Sequence, residues 1–454
     1  MVYGGKGNSM SGQIRTMHLN LFLYNLGHHE ASWRHPESFT DQLMDFTYYK
    51  QLAQKAEKAK MDAIFLADRI STSPAAVEKG SLVSFEPTTL LSAIAAVTER
   101  IGLIGTVSTS FNEPYNVARR FTSLDFLSKG RAGWNIITSG TDSEAQNFNL
   151  DRIPNHTERY KKAKEFLEVT MKLWDSWEDE AILADKERGI FADKQKVHEI
   201  HHNGDSFKVR GPLNMPRSPQ KRPVLVQAGS SQDGKEFSSQ YADAIFTAHQ
   251  TFEDARKFYK DAKDRIARIG RNPDQVKILP GISFVIGKTE AEAKEREEEL
   301  AEFMNFSHSL IQLSNRIGVD LTSVSLDEPL PNLPDSNDIQ GHQSRTKLII
   351  ELAKRENFSI KQLLVRLGGG RGHYTISGTP KRIADELEFW FLNGAADGFN
   401  LMPQIMNRDF DLFVELVIPE LQRRQIFRTD YAGNTLREHY NLPFPLNQYT
   451  STKA

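Results

Sequence analysis

The sequence contains no cysteine, so disulfides, thiolate metal ligands and a cysteine nucleophile are excluded. It also has no run of about 18 apolar residues, and we expect no transmembrane helix. Neither sign of charge dominates, because the formal net charge is −2 over 454 residues. This balance gives no global electrostatic reason to bind nucleic acid or an anionic membrane. The first ten residues lack the apolar segment of a secretory signal, and we expect a cytoplasmic protein.

The remaining composition, 39% apolar and 26% charged, is typical of a soluble globular protein with a large core. Short apolar runs recur along the chain, and several follow a helix-like stretch. The run 62–67 is echoed at 242–248 and, more loosely, at 396–401. Together with the other apolar runs these segments give eight predicted strands. They span residues 17–24, 62–67, 101–107, 132–137, 224–227, 242–248, 278–285 and 396–401.

Helical patterns separate the predicted strands. They cover residues 46–60, 88–98, 114–127 and 163–174, and another helix begins near Asp233. Alternating strands and helices favour a parallel sheet, and eight such units predict an α/β fold, the (β/α)8 TIM barrel.

The alternation breaks at about 178–222 and 295–385, which we interpret as insertions into the barrel. The first should contain hairpin strands near 197–201 and 207–209. Residues 1–15 are expected to be a flexible tail before a single barrel domain, 16–454. The aromatic extension after Arg424 is expected to pack on the outside or on another subunit.

Function in a TIM barrel lies at the carboxyl ends of the strands. The polar residues at the first four ends include His28, Asp68, Thr106 and Ser139. Hydroxyl and amide groups are common at these positions, whereas paired carboxylates are not. No nucleophile or acid–base pair stands out, which suggests that a cofactor supplies the chemistry.

The fifth predicted strand ends in Gly229, Ser230 and Ser231 before a helix, an arrangement suited to an anion such as phosphate. His156 and Tyr160 lie one helical turn apart and could reach the same anion. From the residues alone, an ordinary serine N-cap and a solvent-facing polar pair are the favoured interpretations, and the phosphate site is the alternative.

No other pattern in the sequence predicts a second kind of active site. Adjacent histidines at 28–29 and 201–202 point to opposite faces of a strand, so no metal site is expected. The glycine-rich segment 368–372 fits neither a dinucleotide fingerprint nor a Walker loop, and we expect a flexible loop or a lid hinge there. No Gly-x-Ser-x-Gly elbow is present.

Several short motifs occur in a fixed order along the chain. They are Trp-Arg-His-Pro at 33–36, Phe-Leu-Ala-Asp at 65–68, 131–139, His-Thr-Glu-Arg-Tyr at 156–160, Gln-Ala-Gly-Ser-Ser at 227–231, 428–431 and 433–437. This ordered set resembles the bacterial-luciferase-like flavin monooxygenases over about residues 16–445. It is similar above all to the branch of nitrilotriacetate monooxygenase component A, dibenzothiophene-sulfone monooxygenase and long-chain alkane monooxygenase.

The resemblance implies reduced FMN as co-substrate, supplied by a separate NAD(P)H-dependent flavin reductase, and a homodimer or homotetramer. It implies that Asp68, Thr106 and Ser139 line the isoalloxazine and ribityl part of FMN. It likewise implies that the phosphate end is held by His156, Tyr160, Gly229, Ser230 and Ser231. His28 would lie near the reacting oxygen as the catalytic residue.

The implied activity is a two-component FMN-dependent monooxygenase. It would act through a flavin 4a-hydroperoxide on a small organic substrate, with an organosulfur or aminocarboxylate compound suggested by family analogy. Two alternatives stay open at this point: a deazaflavin-dependent oxidoreductase on the same scaffold, and a flavin-binding protein without turnover.

Overall fold

The computed structural model describes residues 15–80, 83–331 and 343–451 of the chain. Its centre is a closed barrel of eight parallel strands, each at a position that the apolar pattern predicts. The barrel strands are β1 (His18–Phe22), β2 (Ala63–Leu66), β3 (Gly102–Ser108), β4 (Ala132–Ile137), β9 (Val224–Gln227), β10 (Ala244–Thr247), β11 (Lys277–Ile286) and β13 (Gly398–Pro403).

Strand order follows chain order around the barrel, and β13 closes the ring against β1 with His18 opposite Gly398. A ninth parallel strand, β12 (Tyr374–Gly378), continues along β11 beyond the point where β10 ends, since Ala244 pairs with Lys277 and Tyr374 with Ile282. The predicted TIM barrel is therefore confirmed.

Helices surround the barrel, and the longer ones that the helical spacing predicts bury one apolar face each. Asp45 caps the first of them by accepting a 2.8 Å hydrogen bond from the Thr47 amide. The helices before the second insertion are α1 (Phe46–Lys58), α2 (Pro74–Lys79), α3 (Pro87–Ala95), α4 (Pro114–Leu127), α5 (Asp142–Ala145), α6 (His156–Asp175), α7 (Gln232–Tyr241) and α8 (Phe252–Arg268). Those that follow are α9 (Glu290–Glu302), α10 (Phe306–Ile317), α11 (Gln343–Glu356), α12 (Ile360–Gly370), α13 (Pro380–Leu392), α14 (Met406–Leu412), α15 (Ile418–Arg423), α16 (Leu436–His439) and α17 (Gln448–Ser451).

The first insertion carries two antiparallel hairpins. One joins β5 (Ile182–Asp185) to β6 (Ile190–Ala192), and the other joins β7 (His202–Asn203) to β8 (Lys208–Val209). The predicted strand at 197–201 is thus misplaced, because its residues precede the paired segment. The second insertion holds α9 to α12, whose apolar residues form a separate core cluster around Leu313, Ile349 and Leu363.

The expectation that the C-terminal extension packs on the outside is wrong for part of it, because this part enters the barrel. Leu436 and Tyr440 are fully buried with strand residues such as Ala63 and Val224, at the amino ends of the strands. A Cβ placed on Gly102 would lie 2.5 Å from a methyl carbon of Leu436, so glycine leaves room for this side chain. The extension therefore plugs the bottom of the barrel.

In the described part of the chain, no helix is both long and apolar enough to cross a membrane.

Candidate active site

A cavity of about 330 Å³ opens at the carboxyl ends of the strands. Its apolar floor is a cluster of aromatic rings, since Phe22 and Phe65 have centroids 5.0 Å apart and Phe246 lies 5.1 Å from Phe65. Three predicted site residues, His28, Asp68 and Thr106, line this cavity together. A concave apolar site with few polar groups is the usual form of a ligand pocket.

Asn135 supplies the cavity with a hydrogen-bond acceptor that the sequence reasoning missed. Its Nδ2 donates to Thr106 Oγ1 at 2.8 Å, and Thr106 Oγ1 donates to the Leu66 carbonyl oxygen at 2.7 Å. These two bonds fix the amide orientation. Asn135 Oδ1 is consequently buried without a partner among the described residues. A buried acceptor without a partner costs free energy unless a ligand donates to it.

Asp68 lies at the polar edge of the same cavity, directly after β2. Burial raises the pKa of its carboxyl to about 6, and the negative charge of Glu86 acts in the same direction. The group therefore changes protonation just below neutral pH, which is a common property of residues at functional sites.

His28 is buried and neutral. Its Nε2 lies 2.9 Å from the Phe22 carbonyl oxygen, which can only accept, so Nε2 carries the proton and Nδ1 keeps its lone pair. Burial and the charge of Arg371 lower the pKa of His28 to about 3. The ring can therefore accept a hydrogen bond at neutral pH but does not act there as a cationic acid.

Arg371 reaches the cavity from the second insertion, a contribution that the sequence reasoning did not identify. It follows α12 in the left-handed conformation with a φ of 48°, and its Nε donates a 2.9 Å hydrogen bond to the His28 carbonyl oxygen. Its guanidinium carbon lies 4.2 Å from the ring centroid of Tyr24, and its charge holds the pKa of Tyr24 below the usual range.

The glycine run before Arg371 is the buried end of a helix, so the expected flexible loop or hinge is wrong. A Cβ on Gly369 would lie 2.5 Å from Gln404 Nε2, and a Cβ on Gly370 would lie 2.5 Å from Thr375 Oγ1. Glycine lets this helix end pack closely against the barrel, which brings Arg371 to the cavity.

The predicted phosphate residues form a corner beside the cavity, where α6 faces the start of α7. The His156 and Tyr160 rings lie 4.9 Å apart on one face of α6. Ser231 caps α7 by accepting from the Gly234 amide at 3.1 Å. A Cβ on Gly229 or on Gly234 would come within 3.0 Å of the Tyr160 hydroxyl oxygen, so glycine keeps this corner open.

Further contacts shape the corner. Gln227 Nε2 lies 3.4 Å from the Tyr160 hydroxyl, and Gln227 Oε1 accepts from the Gly229 amide at 2.8 Å. His156 Nδ1 bonds Asp233 Oδ2 at 2.9 Å, which orients the imidazole. Ser230 follows Gly229 in the chain and is partly exposed. Ala228, which lines the cavity, immediately precedes Gly229, so cavity and corner are continuous along the chain.

Ser139 lies after β4 with a φ of 54°, and its Oγ donates to Ser108 Oγ at 2.9 Å. It lies outside the set of residues that line the cavity, unlike Asp68 and Thr106. No group of three or more potential metal ligands occurs among the described residues.

The residues fit a phosphorylated, planar ring cofactor. The aromatic floor accommodates a ring system, Asn135 Oδ1 lacks a donor among the residues that the structure describes, and the glycine-lined corner suits a phosphate. In the sequence, Asn135 stood out only as an amide within the apolar strand β4 and inside one of the quoted motifs.

Comparison with known proteins agrees with this geometry. The model of the luciferase-like monooxygenases matches residues 21–396. N-acetyl-S-(2-succino)cysteine monooxygenase of Bacillus subtilis (strain 168) is 45% identical, over 97% of this chain and 100% of that protein. Nitrilotriacetate monooxygenase component A of Aminobacter aminovorans, a relative indicated by the motifs, is also 45% identical, over 96% and 98%. The chain in the crystal structure of riboflavin lyase with modified FMN and riboflavin is 29% identical with a TM-score of 0.84, over 95% of this chain and 97% of that chain.

Proposed function

The chain belongs to the luciferase-like monooxygenases, and from that premise we propose that it is the oxygenase component of a two-component system that uses reduced FMN. It is a flavin-dependent monooxygenase, an oxidoreductase that incorporates one atom of O2 into a small organic molecule. The finer statements, FMN as the flavin and a separate NAD(P)H-dependent reductase as its source, are part of the proposal.

The observation that carries the choice of FMN is the continuity between the aromatic cavity and the glycine-lined corner at Ala228 and Gly229. Asn135 Oδ1 would accept from a ring N–H, and Asp68 and Thr106 would contact the polar edge of the ring or its ribityl chain. Tyr160, Ser230 and Ser231 would donate to the phosphate, whose charge also favours the start of α7.

Bound reduced flavin supplies the two electrons that activate O2. The chain provides the surroundings for this reaction: the rings of Phe22, Phe65 and Phe246 exclude water from the cavity floor, and α12 brings Arg371 to its mouth. The neutral His28 would accept a hydrogen bond near the reacting oxygen through Nδ1. The absence of a dinucleotide fingerprint in the sequence supports a separate reductase.

The test is an anaerobic titration of the protein with photoreduced FMN, riboflavin and a deazaflavin coenzyme, followed by mixing with oxygenated buffer. We expect FMN to bind more tightly than riboflavin, and O2 consumption to depend on an added flavin reductase. Preferential binding of the deazaflavin would favour the alternative coenzyme. FMN binding without oxygenated product from a panel of small sulfur and nitrogen compounds would favour a protein without turnover.

A further inference from the structure

A second cavity of about 220 Å³ lies between the barrel mouth and the second insertion. Three arginines line it, Arg34, Arg69 and Arg371, and we call it the arginine chamber. It shares Tyr24, Arg69 and Arg371 with the aromatic cavity, so the two spaces meet at these side chains. A molecule in the chamber could therefore extend toward the proposed flavin.

None of the three arginines is neutralised within the described residues. Arg371 contacts the His28 carbonyl oxygen and the Tyr24 ring, and Arg34 donates to the Phe303 carbonyl oxygen. No salt bridge involves Arg34, Arg69 or Arg371 in the described part of the chain. Elsewhere arginines do pair: Arg424 forms salt bridges with three carboxylates, those of Asp385, Glu388 and Glu420.

The other lining groups compensate these charges only in part, because one carboxylate faces three guanidinium groups among the described lining residues. Glu30 is the single carboxylate among the described lining residues, and it accepts a hydrogen bond from the Ser309 hydroxyl. His29 is neutral, because burial lowers its pKa to about 3. Trp33 adds a donor, since its buried indole N–H has no acceptor among the described residues. Three cations and a free N–H donor facing one small chamber are suited to an anion.

We propose that the arginine chamber binds the carboxylates of the substrate, and that the substrate is a small molecule with at least two of them. Arg69 and Arg371, which line both cavities, hold the carboxylate nearest the oxygenated atom, and Arg34 recognises one farther out. The assignment of the chamber as a substrate site rests on the proposed function. Planar guanidinium groups recognise carboxylates by paired hydrogen bonds, which makes charge and spacing the basis of selection.

The test measures binding to the flavin-free, full-length protein, so it is independent of oxygenase turnover. The probes are thiodiglycolate, thiodipropionate and diglycolate, which are all dianions at neutral pH, with dimethyl thiodiglycolate as the uncharged counterpart, titrated by calorimetry at constant ionic strength. We expect at least one dianion to bind in the millimolar range or tighter, and the diester to bind at least tenfold more weakly. Inorganic phosphate should displace the dianion less well than a second dicarboxylate does.

Variants locate the binding. Arg69→Gln and Arg371→Gln should each weaken dianion binding five- to tenfold, and Arg371→Lys should restore part of the loss. The matched control is Arg256→Gln, which removes one positive charge from an exposed position on α8 and should change nothing. The proposal is overturned if no dianion binds, if the diester binds equally well, if phosphate is preferred, or if Arg256→Gln has the same effect as Arg69→Gln.

The outcome can be separated from that of the proposed function. Dianion binding that depends on Arg69 and Arg371, together with failure to bind reduced FMN, would leave the chamber intact and remove the flavin assignment. Tight binding of reduced FMN without any preference for dianions would keep the flavin assignment and remove the chamber as a carboxylate site.

Discussion

Asn135 Nδ2 donates a 2.8 Å hydrogen bond to Thr106 Oγ1, and this contact between β4 and β3 leaves Asn135 Oδ1 as a buried acceptor without a partner in the described part of the chain. Replacing Asn135 with leucine keeps the branched shape of the side chain and removes both its acceptor and the donor that bonds Thr106. We expect affinity for reduced FMN to fall by roughly five- to a hundredfold, as for loss of about 1 to 3 kcal/mol. Anaerobic fluorescence titration measures this, with Asn116→Leu on the exposed side of α4 as the control. An unchanged affinity would place the flavin elsewhere.

The corner formed by His156, Tyr160 and residues 229–231 should allow the protein to distinguish FMN from riboflavin. The double variant Tyr160→Phe with Ser230→Ala should lose at least about a hundredfold in FMN affinity, because each of the two hydrogen bonds to the charged phosphate contributes about 1.5 to 3 kcal/mol. Riboflavin has no phosphate, so its affinity should remain the same. A parallel loss for both flavins would mean that the variant disturbs the fold and not the phosphate contacts.

Asp68 should lower stability above pH 6. Its folded pKa is raised to about 6, mainly by burial, while its unfolded value is about 4, so its stabilising contribution is complete below pH 4 and is lost as pH rises through 6. Asp68→Asn should therefore raise the free energy of unfolding at pH 8 by about 1 to 3 kcal/mol and hardly at pH 4. Urea unfolding at both pH values checks this, with the exposed Asp151→Asn as control. Equal effects at the two pH values would contradict the assigned shift.

His28 should contribute no ionisation to the pH profile between pH 6 and 9, because burial keeps its pKa at about 3. We expect His28→Gln to lower kcat by ten- to a hundredfold at every pH in this range without changing the shape of the profile. Steady-state rates with an excess of the reductase measure it. If a wild-type transition near pH 7 disappears in the variant, His28 is protonated in the working enzyme.

The plug at the bottom of the barrel should stabilise the whole fold. Leu436→Ala removes a fully buried side chain and should cost about 2 to 5 kcal/mol of unfolding free energy. Leu446→Ala is the matched control, because Leu446 is 78% exposed. Thermal and urea unfolding compare the two. A similar small effect of both variants would mean that the extension contributes little to stability.

The order of elements could be predicted because it depends on local patterns. Each barrel strand is a short apolar run between helix-like stretches, and parallel strands buried on both faces require such runs. Site residues at strand ends, such as Asp68 and Thr106, follow from the barrel alone, since all strands point their carboxyl ends to one side. Motifs around His156 and Ser231 likewise placed these two residues in one corner before any distance was known.

The other features of the fold and the site depend on contacts between distant segments, and no local sequence pattern indicates such contacts. The glycine run at 368–370 looks like a loop in the sequence, but close packing against Gln404 and Thr375 makes it a buried helix end. The aromatic extension looks peripheral, yet Leu436 fills space that Gly102 leaves open across more than 300 residues of chain.

The sequence by itself determined the barrel, its strand-end residues and the kind of cofactor, because periodicity and short motifs are local properties. Only the tertiary structure decided which side chains end without a partner. Among the described residues, the Asn135 acceptor has no donor and Arg371 contacts a carbonyl oxygen and no carboxylate, because other segments satisfy some of their neighbours and not these groups. Contacts between distant segments decide which polar groups are hydrogen-bonded and which charges are compensated. A ligand gains free energy by binding where such groups are left without a partner.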